Sequence, residues 1–224
     1  MNLILTSMLA ALRRLRGDQS GLALIEFAYS LPIMITMVMY GTELTNYTTT
    51  KMRVSQVALH VADNAARMGT GQLLSLKTIS ETQINDVFTG ANLQAGKLNI
   101  LQNGRIIISS VEPVVSPNLL GTYKIAWQRC KGAKVYNSSY GTPLTALAVA
   151  GVGPTGRQVT APNYGATMFV EISYTYQPLI TAMFAPKTTI TEIAAMTVRD
   201  DRNLTIIYNT EGAIAAGCST YNAT

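Results

Sequence analysis

LALIEFAYSLPIMITMVMY, residues 22–40, is a run of nineteen residues carrying one charge, Glu26. Wound as a helix at about 1.5 Å per residue it measures roughly 28 Å, the thickness of a bilayer's hydrocarbon core. Arg13, Arg14 and Arg16 stand just before it. Basic residues flanking a span stay on the cytoplasmic side, so the N-terminus is expected inside and everything beyond about Thr42 outside. Residues 1–12 are also apolar but too short to cross, and read as an interfacial helix or the apolar face of a leader. A secretory signal peptide places its positive charges ahead of its apolar run, whereas here residues 1–12 come before the arginines, so the order excludes that class.

The composition agrees with a membrane segment. Of 224 residues, 48% are hydrophobic and only 13% charged, against about 25% charged in a soluble domain. The length suits one domain plus an appendage. A net charge of +5 and a pI near 9.2 do not imply a nucleic-acid partner. Three of the basic residues are the arginines beside the apolar run, and the others are scattered, with no basic block interleaved with aromatics.

Glu26 is the specific feature. A carboxylate inside a membrane helix costs roughly 2.5–3.5 kcal/mol on insertion scales and is tolerated where it finds a partner. Gly21-Leu22-Ala23-Leu24-Ile25-Glu26-Phe27 sets a glycine, four apolar residues, a glutamate and an aromatic in order. This resembles the class III leader of type IV pilin-like proteins, in which a prepilin peptidase cuts after the glycine. The resemblance implies cleavage between Gly21 and Leu22, with Glu26 the fifth residue of the mature chain. It also implies a partner for the carboxylate, since the new ammonium of Leu22 meets Glu26 of a neighbouring subunit. The stretch RRLRGDQSG, residues 13–21, would then be the peptidase's cytoplasmic recognition site.

The segment SGLALIEFA followed by Leu31-Pro32 is similar to the start of TadE-like and TadG-like proteins of the bacterial tight-adherence (Flp, type IV) pilus system. The larger TadG-like members add a domain with an Asp-x-Ser-x-Ser metal motif that this sequence lacks, which leaves the TadE-like or TadF-like type of minor pilin, or pseudopilin. The resemblance covers residues 13–68, and the head is assigned mainly by continuity with it. It implies a non-enzymatic role with no cofactor and no metal. The implied partners are the prepilin peptidase, an inner-membrane assembly platform and other pilins, with the C-terminal domain in the periplasm or carried into an extracellular pilus. The alternative is an uncleaved, membrane-anchored periplasmic binding or adhesion domain.

The expected fold is α+β: a long N-terminal helix, its first half in the membrane, packed on a mainly antiparallel sheet. The divisions are a leader at 1–21, a transmembrane helix at 22–42, an amphipathic extension at 43–69 and a β-rich head at 70–224. Val54, Ala58, Val61, Ala65 and Met68 recur at helical spacing and make one apolar stripe. Pro32 is expected to kink the span. Gly41 and the run 45–50 weaken the junction, so a break is expected there, and Gly69-Thr70-Gly71 ends the helix.

Ser80-Glu81-Thr82-Gln83 has the spacing of a capping box and predicts a short helix at about 80–89. Asn103-Gly104 between LNILQ and RIIISSV predicts a hairpin with strands at 97–102 and 105–111. Further strands are predicted at 123–129, 167–176, 187–199 and 204–208, with a long loop from 130 to 165 holding a possible short element at 144–149. Cys130 and Cys218, an even pair outside the cytoplasm, predict a disulfide closing a long loop, with two separate buried thiols as the alternative.

Other constellations are set aside. Gly151-Val152-Gly153-Pro154-Thr155-Gly156 is a literal G-x-G-x-x-G followed by Glu171, but Pro154 removes a loop donor and no amphipathic helix follows, so it reads as a glycine loop and not a dinucleotide site. His60 is the only histidine, which excludes a serine-type triad built on this chain's imidazoles. Asp200-Asp201 between Arg199 and Arg202 reads as a solvated turn. No catalytic residue is assigned.

Overall fold

The computed structural model describes residues 20–71, 75–143 and 150–223. The arginines at 13, 14 and 16 and the possible element at 144–149 lie outside the described residues. The architecture is α+β, a long apolar N-terminal helix packed on a four-stranded antiparallel sheet.

Helix α1, Ser20–Arg67, is 48 residues long, roughly 70 Å at the rise of an α-helix. It runs through Pro32 and through Gly41 without interruption, so the expected break at the junction does not occur. Tertiary packing outweighs the low local propensity of residues 45–50: Glu43 and Thr50 are buried, and the Tyr47 ring packs edge-on against Tyr176, 5.1 Å between centroids. The threonines also turn their hydroxyls inward, Thr42, Thr45 and Thr48 donating to the carbonyls of Val38, Gly41 and Leu44 at 2.8–2.9 Å, so the polar groups are satisfied within the helix.

The stripe Val54, Ala58, Val61, Ala65 and Met68 is buried throughout. Four of these five are β-branched valine or small alanine, which bring the helix close to the sheet. Beyond Arg67 the helix C-terminus is closed by a residue far along the chain: Nη2 of Arg202 donates to the carbonyls of Ala65, Ala66 and Met68 at 3.2, 3.1 and 2.6 Å. A cation at this end satisfies carbonyls that have no intrahelical partner and complements the helix dipole.

Helix α2, Glu81–Ala95, starts at the capping box: Gln83 N–H donates to Ser80 Oγ at 3.3 Å and Ser80 N–H to Gln83 Oε1 at 3.1 Å. It runs past the expected end because Ala91 and Ala95 continue the buried face begun by Ile84, Val87 and Phe88. Then the predicted hairpin fails. Residues 96–98 form a 3₁₀ turn and α3, Ile100–Asn103, a single helical turn. Leu98, Ile100 and Leu101 are all buried, and the adjacent pair Ile100 and Leu101 cannot share one face of a strand. Asn103 Nδ2 donates to Leu98 O at 3.1 Å, tying the turn together. Gly104 is needed for close approach rather than for a hairpin turn: a Cβ there would lie 2.8 Å from the carbonyl oxygens of Ile100 and Ser173.

The strands are β1, Gly104–Pro113; β2, Tyr123–Lys131; β3, Thr167–Thr175; and β4, Thr189–Thr197, in the order β2-β1-β3-β4. Every neighbour is antiparallel, with Ile108 opposite Val170 and Val170 opposite Ala194. The face carrying Ile106, Ile108, Met168, Val170 and Ile172 meets α1 and α2 in the main core. On the other face Val111, Ile125 and Phe169 form a smaller cluster with Val152. There Glu171 is buried under the loop after β2, accepting from Ser138 Oγ, Ser139 N–H and Tyr136 Oη. Burial raises its pKa despite these donors. Val152 pairs with Val159 across the glycine loop.

The predicted strand at 204–208 is absent as a strand. The chain bridges in parallel at Lys77 with Arg202 and at Ser80 with Tyr208, and between these points Leu204 and Ile207 pack against the main core. Asp200 is not a free turn carboxylate, since Lys77 Nζ lies 2.6 Å from it.

Cys130 and Cys218 are joined, with Cα atoms 4.7 Å apart and 88 residues of separation. The tail runs beside β2, with Cys130 N–H donating to Ala216 O and Gly132 N–H to Asn222 O, both at 2.9 Å. Arg105, fully buried, reinforces the closure by donating to the carbonyls of Gly132, Thr220 and Cys218 at 2.8–3.0 Å, and its guanidinium lies 4.2 Å from the Tyr221 ring centroid. Closing a loop of this size stabilises by roughly 4–5 kcal/mol in the chain-entropy account.

Candidate functional site: a bare helix and the collar at its base

The first eighteen described positions of α1 after Ser20, residues 21–38, are all exposed, although most are apolar. Leu24, Phe27, Tyr29, Met34 and Met37 have no partner in the head. This segment is long and apolar enough to cross a membrane, and so large an unbroken apolar surface is not left to water. Leu22 and Glu26 lie one helical turn apart, so their side chains sit on one face. Glu26 and Phe27 are both exposed, and Glu26 has no hydrogen-bond or ion-pair partner among the described residues. Gly21 is not demanded by packing, since a Cβ there meets nothing within 4 Å.

Met39 is half-buried, but the first fully buried position on α1 is Glu43, a residue that sequence reasoning did not single out. Glu43 has no exposed surface. It is covered by a short strap, residues 177–184, that leaves β3 and crosses in front of the helix. Ile180 N–H donates to the carboxylate at 2.8 Å and Leu179 N–H at 3.2 Å. The Tyr176 hydroxyl donates to the same carboxylate, and Asn46 Nδ2 donates to that hydroxyl at 2.6 Å. Phe184, in the 3₁₀ turn Ala182–Phe184, meets Tyr40 edge to face at 6.4 Å.

The electrostatics follow from this geometry. Burial opposes ionisation of Glu43, but the hydrogen bonds from Tyr176 and from the backbone of Ile180, Leu179 and Thr181 prevail and hold its pKa below the ordinary carboxylate value. Tyr176 is driven the other way, up to about 12, by burial and then by the adjoining carboxylate. Charged Glu43 is therefore the clasp of the strap. Nothing local in the sequence announces it: Glu43 and Ile180 are separated by 137 positions, and a lone glutamate after an apolar run reads as solvated.

Of the residues singled out beforehand, Gly21, Leu22, Glu26 and Phe27 lie together on the bare segment, and Cys130 and Cys218 meet at the edge strand β2. His60 is exposed on α1 beside Lys97 and Arg53. Among the described residues no three His, Cys, Asp or Glu side chains converge in a way that would hold a metal. Comparisons with known proteins add no name: no family model, no curated protein and no solved structure matches the chain.

Proposed function

We propose that this chain is a minor pilin, or pseudopilin, of the TadE-like type, acting in assembly of a tight-adherence pilus. Its helix crosses the bacterial inner membrane with the N-terminus in the cytoplasm and the head in the periplasm. A prepilin peptidase cuts after Gly21. The observation that carries this reading is the bare half of α1, on which a single carboxylate, Glu26, stands unpartnered in a continuous apolar surface. An unpaired carboxylate in lipid is costly, and a cation supplied from outside the monomer removes the cost. The ammonium freed at Leu22 of an adjoining subunit is such a cation, and the other pilins are thus its main partners through residues 22–40. A second support is Gly21 itself. No packing contact requires it, since a Cβ there meets nothing within 4 Å, whereas a peptidase site does.

The role is structural rather than enzymatic: helix packing in the membrane or filament primes, caps or regulates assembly. Mass spectrometry of the membrane-extracted protein tests the proposal. The expected N-terminus is Leu22, and an intact segment 1–21 in cells that contain the peptidase overturns it. Glu26→Gln separates this reading from a plain membrane tether. Assembly should fail while the head's thermal stability is unchanged, and normal pili would leave only the tether.

A further inference from the structure

The strap that clasps Glu43 has an outer surface as well as an inner one. Its inner side is occupied by Tyr176 Oη and the backbone N–H groups of Leu179 and Ile180, all turned to the carboxylate. The side chains that this arrangement turns outward are apolar: Leu179 is 65% exposed and Met183 84%. Residues 177–188 contain one charge, Lys187, and no carboxylate. This surface lies at one particular height. Phe184 touches Tyr40, the last residue of the apolar run, and Glu43 is three residues further along α1, about 4.5 Å at the helical rise.

We propose that residues 178–184 form a second membrane contact, which inserts Leu179 and Met183 into the boundary between headgroups and acyl chains of the leaflet from which α1 emerges. The inference rests on α1 spanning a bilayer. The occupant follows from continuity: the same helix that passes through the lipid brings the strap to the lipid surface, so the apolar side chains and the bilayer meet without any diffusional search. Aromatic residues favour this depth, which suits Tyr40 and Phe184, and the stem of Lys187 lets its ammonium reach phosphate groups beside the inserted residues. The clasp supplies the rigidity. With Glu43 holding two successive backbone N–H groups, the strap presents its apolar side chains in a fixed direction instead of folding them back on the head.

The head carries its own control. Leu119 is 90% exposed but sits in the loop between β1 and β2, at the far end of the sheet. Gly104 pairs with Tyr174 at the strap end and Val111 with Thr167 toward the other, so ten residues of β1 put Leu119 roughly 30 Å away at the rise of a strand.

The full-length chain, reconstituted in vesicles of equal parts phosphatidylcholine and phosphatidylglycerol, is labelled with a polarity-sensitive fluorophore at single introduced thiols, Met183→Cys, Leu119→Cys and Ile33→Cys. Labelling without reductant keeps the native bridge closed. The expected result is several-fold weaker quenching by aqueous iodide at position 183 than at 119, with strong quenching at 183 by lipids bearing a shallow nitroxide. Position 33 should be reached only by deep nitroxides. If 33 is in lipid while 183 is quenched by iodide as fully as 119, the strap proposal falls and the span stands. If 33 is itself open to iodide, the spanning reading fails and the strap proposal with it. Cross-linking of position 183 to another copy in place of lipid quenching also overturns the proposal, by assigning the surface to a neighbouring subunit.

Discussion

The two halves of α1 belong to one unbroken helix and end in opposite environments. Residues 21–38 are rich in Leu, Ile, Met and aromatics and are exposed on every side. Residues 54–68 carry fewer large side chains, yet their valine and alanine stripe is sealed against the sheet. Hydrophobicity alone would rank the halves the wrong way round for burial in protein. What separates them is shape: small and β-branched side chains let a helix approach a sheet closely, whereas long side chains all round suit a fluid, apolar solvent. Glu43 marks the point of change, and the sharpest experiments are those that treat the halves differently.

The largest effect is expected at the boundary itself. Glu43→Ala leaves the Tyr176 hydroxyl and the N–H groups of Leu179 and Ile180 without their acceptor. Unmade hydrogen bonds at buried groups cost about 1–3 kcal/mol apiece, and partial access of water to a strap of this thickness brings the expected loss to about 3 kcal/mol. Chemical unfolding in detergent, followed through Trp127, the single tryptophan, measures it.

A smaller contrast comes from enlarging one residue in each half. Ala62→Phe forces a ring into a position with no exposed surface and should cost about 2 kcal/mol by overpacking. Ala28→Phe, on the bare half, should leave the unfolding midpoint of the head unchanged. Equal losses would show that the head depends on both halves and would erase the distinction.

Smallest is the effect of acid. The folded pKa of Glu43 lies below its unfolded value, so its contribution is fully present above the ordinary carboxylate range and is lost as pH falls through the depressed value. The strap should loosen under strongly acidic conditions and stay closed at neutral pH, as read by hydrogen exchange at the Ile180 amide. In Glu43→Ala the exchange should be fast at either pH.

Local signals in the sequence translated well into structure. The stripe from Val54 to Met68 obeys a helical period, and the capping box at Ser80 and Gln83 is closed within four residues, so neither needs distant information. The failures share a cause. Asn103-Gly104 has the chemistry of a hairpin turn, but β1 takes β2 and β3 as neighbours and the preceding residues bury Leu98, Ile100 and Leu101 in a turn of helix. Residues 204–208 are apolar enough for a strand, yet Arg202 is drawn to the end of α1 and Leu204 and Ile207 pack against the main core. Residues 45–50 are poor helix formers that the head holds in a helix. In each case a partner outside the local segment decides the outcome, and the separations of 137 positions between Glu43 and Ile180 and between Ala65 and Arg202 are the longest of these. The bare segment was the most legible part of the candidate site, because its length and apolar character lie within one short run of sequence.

A rod without a joint is a lever. Because α1 is continuous for 48 residues, any inclination of its lower half is imposed on the head that grips its upper half. Membrane helices lean by about 20° on average, and over roughly 70 Å of helix that angle displaces the far end sideways by roughly 24 Å. On the proposed bilayer span, the orientation of the whole domain relative to the membrane plane is thus set at the foot of the helix, and whatever straightens or tips the foot steers a surface it never touches.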